Sequence, residues 1–271
     1  MRAGAARLCE RTGALAGALP LLLICIGAAI AGMAGAAIGA AAGALTAATL
    51  LTLVIAATAS PGRLRGTRSF AVTVAVAAVA MILAAFDAQI GRSEGVLLTA
   101  AAGFAGWSGF RLSDAGDAHW RMTSRGLTLA ITGALALLIG TALALYQAPE
   151  LAVGLPDGAL MIGLTALGTA AAAPQAMFAV GRVRAGRGEE MLRETIVTGA
   201  ICLFGGVGVA ALIHPLSVPE SFLRAPLLVL GFDLVVLIWI AFMRKALPRA
   251  APLVGAVVYA AALVAYLKAD G

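Results

Sequence analysis

Charged side chains are scarce in this sequence, and so are aromatic ones. Of its 271 residues, 12% are charged and 6% are aromatic, and residues 12–62 contain no charge at all. Hydrophobic residues make up 62% of the chain, whereas soluble domains are about half apolar and about a quarter charged. This balance excludes an ordinary water-soluble domain and favours a membrane protein.

Cysteine is also rare, with only Cys9, Cys25 and Cys202 in the chain. Their odd number, and the absence of a CxxC or other metal-ligand spacing, indicate neither a disulfide framework nor a zinc site. The sequence likewise lacks a phosphate-binding loop, a paired-carboxylate site and a nucleophile motif. We therefore expect neither enzymatic activity nor a cofactor. The net charge of +6 is spread over several loops without an aromatic-rich patch, so we expect no nucleic-acid partner.

Long apolar runs fill the space between the charged residues. A spanning helix needs about 20 apolar residues, and most of the runs are near that length, the fourth being shorter. The first run follows a basic start, which is also the pattern of a signal peptide, but its length favours a membrane helix. The sequence thus predicts an all-α, polytopic membrane protein of about nine transmembrane helices, at residues 13–31, 34–59, 69–86, 95–110, 126–147, 158–181, 195–213, 225–243 and 250–267.

Basic residues occupy alternate loops of this nine-helix arrangement. The N-terminus and the segments 60–68, 111–125, 182–194 and 244–249 hold 16 of the 19 lysines and arginines. Cytoplasmic loops retain Lys and Arg, so this pattern predicts a plasma (inner) membrane protein with a cytoplasmic N-terminus and an external C-terminus. Membrane lipid is then its immediate partner.

The chain also shows a faint internal repeat. A shift of 154 residues places Pro20 on Pro174 and Pro61 on Pro215, and the two copies have opposite predicted directions in the membrane. Inverted repeats with broken helices are typical of secondary transporters, so we expect Pro20 and Pro174 to break helices that line a site; simple kinks are the alternative. The predicted division is a first repeat of four helices over 1–111, a cytoplasmic linker over 112–125 and a second repeat of five helices over 126–271.

The second half resembles a known family. Residues 155–175 read LPDGALMIGLTALGTAAAAPQ, residues 184–200 read RAGRGEEMLRETIVTGA, and residues 210–218 read AALIHPLSV. These segments look like the second alpha-repeat of the cation/calcium exchanger superfamily (the sodium/calcium exchanger membrane region). The closing segments FDAQIGRSEGVLLTAAAGF and ALPRAAPLVGAVVYAAALVAYL are similar to the ends of its two repeats. The resemblance implies inverted five-helix repeats, with the first helix missing here.

The motifs that bind ions in that family are degenerate in this chain. The family's GTS-x-P-E-type motif corresponds to residues 170–175, where alanines replace the hydroxyl residues and Gln175 replaces the glutamate. Its first-half counterpart, residues 16–21, offers no side-chain oxygen. Calcium requires six to eight oxygens, several of them charged. We therefore expect a degenerate member of the family that does not exchange calcium in the family's manner.

A few polar side chains remain within the apolar runs. Asp233 is the strongest candidate, because an intramembrane carboxylate is costly and is usually functional; a protonated carboxyl that bonds to a neighbouring helix is the alternative. Gln175, Thr169 and Thr198 are further candidate substrate- or ion-binding residues, although interhelical bonding or bonding to their own helix would also explain them. The same reservation applies to other threonines, at positions 46, 49, 52 and 165.

Two functions follow from these features. The first is a secondary transporter of an inorganic cation or a proton-coupled small solute, with Asp233 as the coupling carboxylate. The second is a membrane scaffold or partner subunit that derives from an exchanger and no longer transports. The loss of oxygen ligands in both repeats motivates the second.

Overall fold

The computed structural model describes residues 18–58, 89–111, isolated positions between 139 and 150, and residues 157–184, 188–218, 225–242 and 250–269. These parts contain seven helices and one pair of short strands. We number them α1 (Ala18–Ile30), α2 (Ala34–Thr58), β1 (Gln89–Ile90), α3 (Arg92–Arg111), α4 (158–184), α5 (188–213), β2 (Leu216–Ser217), α6 (Ala225–Phe242) and α7 (Ala251–Ala269).

Seven of the nine predicted segments are therefore helical, and most of their described ends lie within about three residues of those predicted. Helix α5 begins seven residues earlier than predicted, and the predicted start of the first segment lies outside the described residues. The predicted helix over 69–86 and most of the one over 126–147 lie outside the described residues, as does the linker over 112–125. Two helical stretches, Ala34–Ile55 and Glu194–Ile213, are long and apolar enough to cross a membrane. Shorter apolar helices cover Ala18–Ile30, Gly158–Ala173 and Ala251–Ala261.

A glycine turn folds α1 back along α2. Gly32 has φ +72°, a left-handed conformation that glycine adopts without steric cost. The Gly32 N–H bonds to the Ala29 carbonyl and the Met33 N–H to the Ala28 carbonyl, which is the Schellman arrangement that ends many helices. The uncharged stretch at residues 12–62 thus contains a helical hairpin, as its length predicts.

Helices α4 and α5 each contain one turn of π-helix. In α4 this turn is Gly163–Leu167, between the α-helices Gly158–Ile162 and Gly168–Arg184. In α5 it is Ile201–Gly205, between Gly188–Ala200 and Gly206–Ile213. Such turns widen the backbone locally and are often found at functional sites.

Helix α2 packs against α4 with the two backbones in direct contact. A Cβ atom added at Gly163 would lie 2.5 Å from the Ala36 carbonyl oxygen, and one at Gly168 would lie 2.7 Å from the Ala44 nitrogen. On the α2 side, a Cβ at Gly39 would lie 2.9 Å from the Leu164 nitrogen. Only glycine fits at these positions. Small residues that allow this close approach are the usual means of helix association in membranes.

The order of these contacts gives the helix directions. From Gly39 to Gly43, α2 meets successively later residues of α4, so these two helices are parallel. Position 199 of α5 lies at Ala48 and position 206 at Ala41, so α5 is antiparallel to α2. The same reasoning makes α3 antiparallel to α5, because position 95 meets Ala211 whereas position 106 meets Ile201.

The two outer helices also have opposite directions. In α6, Asp233 lies at Thr46 and Val236 at Leu53, so α6 is parallel to α2. In α7, position 255 lies at Leu53, whereas Tyr259 reaches the part of α4 beside Gly43. Helix α7 is therefore antiparallel to α2.

Two strands join α5 to α3 at one end of the bundle. Gln89 and Ile90 of β1 pair in antiparallel register with Ser217 and Leu216 of β2. The start of α3 is capped by Glu94, whose carboxylate accepts a 2.8 Å hydrogen bond from the Gly91 N–H. An acidic side chain in the first turn commonly caps a helix in this way.

Candidate functional site

Asp233 lies in the middle of α6, within the apolar sequence LLVLGFDLVVLIWIAF. Its side chain is fully buried, at 0% exposure, and faces α2. A charge in such a position is costly unless a partner compensates it. The groups around this carboxyl therefore decide what it can do.

Thr46 of α2 contacts one carboxyl oxygen. Its Oγ1 lies 2.8 Å from Asp233 Oδ2 and also 3.0 Å from the Ala42 carbonyl oxygen. A hydroxyl has a single hydrogen to donate. It can donate to an ionised Asp233, or it can donate to Ala42 while accepting the proton of a neutral Asp233. The hydrogen of Thr46 therefore has a different position in the two charge states of the carboxyl.

The other carboxyl oxygen, Oδ1, has no hydrogen-bond partner among the described residues. Thr49 lies beside the carboxyl one turn further along α2, near enough to interact with it, although its buried Oγ1 has no hydrogen bond of good geometry among the described residues. Residues three apart on a helix are neighbours on one face, so a single side of α2 presents both Thr46 and Thr49 to the carboxyl. A buried polar atom without a partner costs about 1–3 kcal/mol, which marks this pair as unusual.

Thr49 differs in this respect from most of the described threonines. Six of them bond to the carbonyl of the residue four positions earlier: Thr46, Thr52, Thr165, Thr169, Thr195 and Thr198. That local bond satisfies the hydroxyl of a helical threonine without any outside group. Because Thr49 lacks such a bond, its oxygen remains available to a group beside Asp233.

Tyr259 of α7 connects this cluster to the π-helical turn of α4. Its hydroxyl donates a 3.4 Å hydrogen bond to the Leu164 carbonyl, and its side chain lies near Asp233. The Leu164 carbonyl also contacts the backbone of α2 at Gly43. Helices α2, α4, α6 and α7 therefore meet within a single group of oxygen atoms.

The hydrogen bond of Asp233 is to Thr46, which is not one of the other three candidate residues. Gln175 is buried, at 5% exposure, and its Nε2 has no partner among the described residues. Thr198 is buried and donates to the Glu194 carbonyl at 2.9 Å. Thr169 is exposed and bonds to carbonyls of its own helix.

The backbone irregularities lie away from the two predicted break points. Helix α4 is α-helical through Pro174, and its π-helical turn lies at Gly163–Leu167, nearer to the N-terminus. Pro20 is buried near the start of the described part of α1. The residues that border the Asp233 cluster belong to the π-helical turn and not to the prolines.

The donor set of this cluster suits a single positive charge. It has one carboxylate, two threonine hydroxyls, a tyrosine hydroxyl and a backbone carbonyl nearby. Across the described part of the chain, no group of three or more His, Cys, Asp or Glu side chains could hold a metal ion. A divalent cation needs more negative charge than one carboxylate supplies, whereas a proton or a monovalent cation is balanced by it.

The sequence indicates Asp233 as a candidate site residue, but it does not indicate the polar residues that lie beside it. Tyr259 was not a candidate, and Thr46 and Thr49 were treated as structural. Their spacing of three residues, on an otherwise apolar helix, was the available signal for a polar face. Comparisons of this chain with family models, with curated proteins and with solved structures find no match, so the residues of the site carry the functional argument.

Proposed function

We propose that this protein is a secondary transporter of the inner membrane, which couples the movement of an inorganic cation or a small solute to a proton or monovalent cation. Asp233 would carry the coupling ion. The observation that supports this function is a fully buried carboxyl beside a buried hydroxyl, where one carboxyl oxygen and the hydroxyl oxygen find no hydrogen-bond partner among the residues described. Intramembrane acids of this kind are typical of ion pathways and proton relays.

The distribution of small and large residues supports a membrane location. Helix α2, at the centre of the bundle, buries many alanines, whereas a number of large apolar side chains on other helices face outward. Ile30 and Leu97 are each 71% exposed and Leu253 is 69% exposed. Water would penalise this arrangement, whereas lipid tails accommodate large apolar groups and small residues allow close helix contact.

The helix directions support the proposed orientation. Given these directions, the helix ends that lead into residues 60–68, 111–125, 182–194 and 244–249 all belong to one end of the bundle. Those segments, with the N-terminus, hold 16 of the 19 basic residues. The positive-inside rule assigns that end to the cytoplasm.

The directions of α2 and α5 also support the inverted repeat. The 154-residue shift places Ala34, the first residue of α2, on Gly188, the first residue of α5. These two helices are antiparallel in the bundle. Helices at equivalent positions of two repeats have opposite directions when the repeats are inverted. The resemblance to the cation/calcium exchanger superfamily is consistent with this arrangement and stays part of the proposal.

The chemistry of coupling follows from the charge on Asp233. The ionised carboxyl requires a counter-ion in a low-dielectric interior, so arrival of a proton or a monovalent cation stabilises it and departure leaves it uncompensated. A transporter uses this difference to link ion release to movement of its helices.

Proteoliposomes that enclose a pH-sensitive dye would test the function. We expect external Na⁺, Li⁺ or K⁺ to collapse an imposed acid-inside gradient through the wild-type protein, and Asp233→Asn to slow this response at least about tenfold. Asp157→Asn is the matched control, since Asp157 is exposed, and it should behave as wild type. An Asp233→Asn variant with unchanged proton movement would contradict the assignment.

The packing also favours a second candidate, a scaffold that does not transport. Backbone contact between α2 and α4 at Gly39, Gly163 and Gly168 leaves no passage between these two helices. A pathway would have to pass on the α6 and α7 side, where Asp233 lies. If none of the three cations moves protons through the wild-type protein, the scaffold function is favoured.

A further inference from the structure

The oxygen atoms around Asp233 differ in whether they already have a hydrogen-bond partner. Thr46 Oγ1 has both of its neighbours within hydrogen-bond distance, so that side of the carboxyl is complete. Asp233 Oδ1 and Thr49 Oγ1 are both buried, and neither has a hydrogen-bond partner within the part of the chain that the structure describes. These two oxygen atoms are therefore the ones that remain available to coordinate an ion beside Asp233.

We propose that Thr49 selects the coupling ion, and that Thr49 Oγ1 and Asp233 Oδ1 together bind a dehydrated or partly hydrated monovalent cation of sodium size. This inference rests on the proposed function and deepens it, because it names the ion and the residue that distinguishes it from a proton.

A proton uses the acceptor capacity of Thr49 only in part. A proton on Oδ2 would be shared with Thr46, which already lies 2.8 Å away, whereas a proton on Oδ1 could be donated to Thr49 Oγ1, which would still have a second lone pair. A metal cation instead needs lone pairs from several oxygens, and hydroxyl and carboxylate oxygens supply them. The lone pair of Thr49 that a proton leaves unused is therefore the feature that allows this residue to bind a cation.

Charge and space restrict the kind of cation. One carboxylate balances one positive charge, and Ca²⁺ prefers six to eight oxygens with several charges among them. The neighbouring backbones of α2 and α4 contact each other at Gly43 and Leu164, so this wall of the site cannot move outward without separating the helices. We expect this rigid boundary to favour a small cation such as Na⁺ or Li⁺ over K⁺.

Binding of ²²Na⁺ to the purified full-length protein would test the proposal without knowledge of the transported solute. We expect saturable binding that Li⁺ displaces better than K⁺ does. Thr49→Val should raise the half-saturating Na⁺ concentration at least about tenfold, the effect of losing about 1.4 kcal/mol of binding. Thr49→Ser, which keeps the hydroxyl, should stay within about twofold of wild type.

Thr52→Val is the matched control. Thr52 is buried on the same helix and bonds to the Ala48 carbonyl at 2.7 Å, so its loss should leave Na⁺ binding within about twofold. Gel filtration and thermal unfolding of each variant would verify folding, and Thr49→Ala provides a smaller substitution if Thr49→Val unfolds.

The outcomes separate this inference from the proposed function. Unchanged Na⁺ binding in folded Thr49→Val or Thr49→Ala would overturn the role of Thr49, and so would equal displacement by K⁺. If the wild type binds no Na⁺ while Asp233→Asn still loses proton movement in proteoliposomes, the ion is a proton: the inference fails and the transporter function stands. If Asp233→Asn moves protons normally, the proposed function itself fails.

Discussion

Thr46 has one hydroxyl hydrogen and two acceptors within reach, so the acceptor to which it donates depends on the charge of Asp233. When Asp233 is ionised, the hydrogen belongs between the two side chains, and when it is neutral, the hydrogen can turn to the Ala42 carbonyl. The second arrangement strengthens the local bond of α2, and the first strengthens the contact between α2 and α6. Protonation or deprotonation of Asp233 therefore changes the hydrogen bond between α2 and α6.

A double-mutant cycle would measure this contact. We expect Thr46→Val and Asp233→Ala to be non-additive in the free energy of unfolding, with a coupling of about 0.5–3 kcal/mol, as for residues in one hydrogen-bond network. The cycle of Thr52→Val with Asp233→Ala should be additive within about 0.5 kcal/mol. Denaturation of the purified protein in mixed micelles would provide the free energies. Equal coupling in both cycles would contradict the assigned bond.

At the level of residues, the sequence predicted Asp233 because an acid within an apolar run stands out by itself. It could not predict Thr49, because whether a helical threonine bonds to its own backbone depends on its rotamer and on the neighbouring helix. Tyr259 was missed for a related reason. Its significance comes from the Leu164 carbonyl, which lies on a different helix 95 positions away in the chain.

Among the helices, the contact between α2 and α4 depends on glycines at fixed positions. A Cβ at Gly39 would lie within 2.9 Å of the Leu164 nitrogen and closer still to the Leu160 carbonyl oxygen. Both are backbone atoms and cannot rotate away. These glycines are therefore required by the contact itself and not by the local backbone, which is helical at Gly39.

Substitution of these glycines should reveal this requirement. We expect Gly39→Ala to destabilise the protein by about 1–3 kcal/mol, the usual cost of overpacking a core, and to lower the melting temperature. Gly103→Ala is the matched control, since nothing lies within 4 Å of a Cβ at that position, and it should be neutral or slightly stabilising. Thermal unfolding in detergent measures both. A loss of stability in Gly103→Ala as large as that in Gly39→Ala would contradict this account.

The extent of most helices could be predicted because charges and the Gly32 turn delimit the apolar runs. The π-helical turns at Gly163–Leu167 and Ile201–Gly205 could not. Their sequences are ordinary apolar helix sequences, and the added residue per turn is a response to packing against neighbouring helices. The candidate site adjoins one of these turns, so its geometry was also beyond prediction from sequence.

For the whole molecule, the orientation of the bundle is the feature that most needs a direct measurement. Single cysteines at Ser217 and Ala250, both exposed, lie at opposite ends of the bundle in a background without the native cysteines. We expect a membrane-impermeant maleimide to label Ser217→Cys on intact cells and Ala250→Cys only after permeabilisation. The reverse pattern would invert the proposed topology.

The kinds of contact around α2 also limit how the bundle can rearrange. Helix α4 meets α2 through backbone atoms, whereas α6 and α7 meet it through side chains such as Asp233, Leu50 and Leu53. Side chains can exchange rotamers as two surfaces slide, but interlocked main chains must first separate. Helices α2 and α4 should therefore move as one body, with α6 and α7 as the part that swings against it.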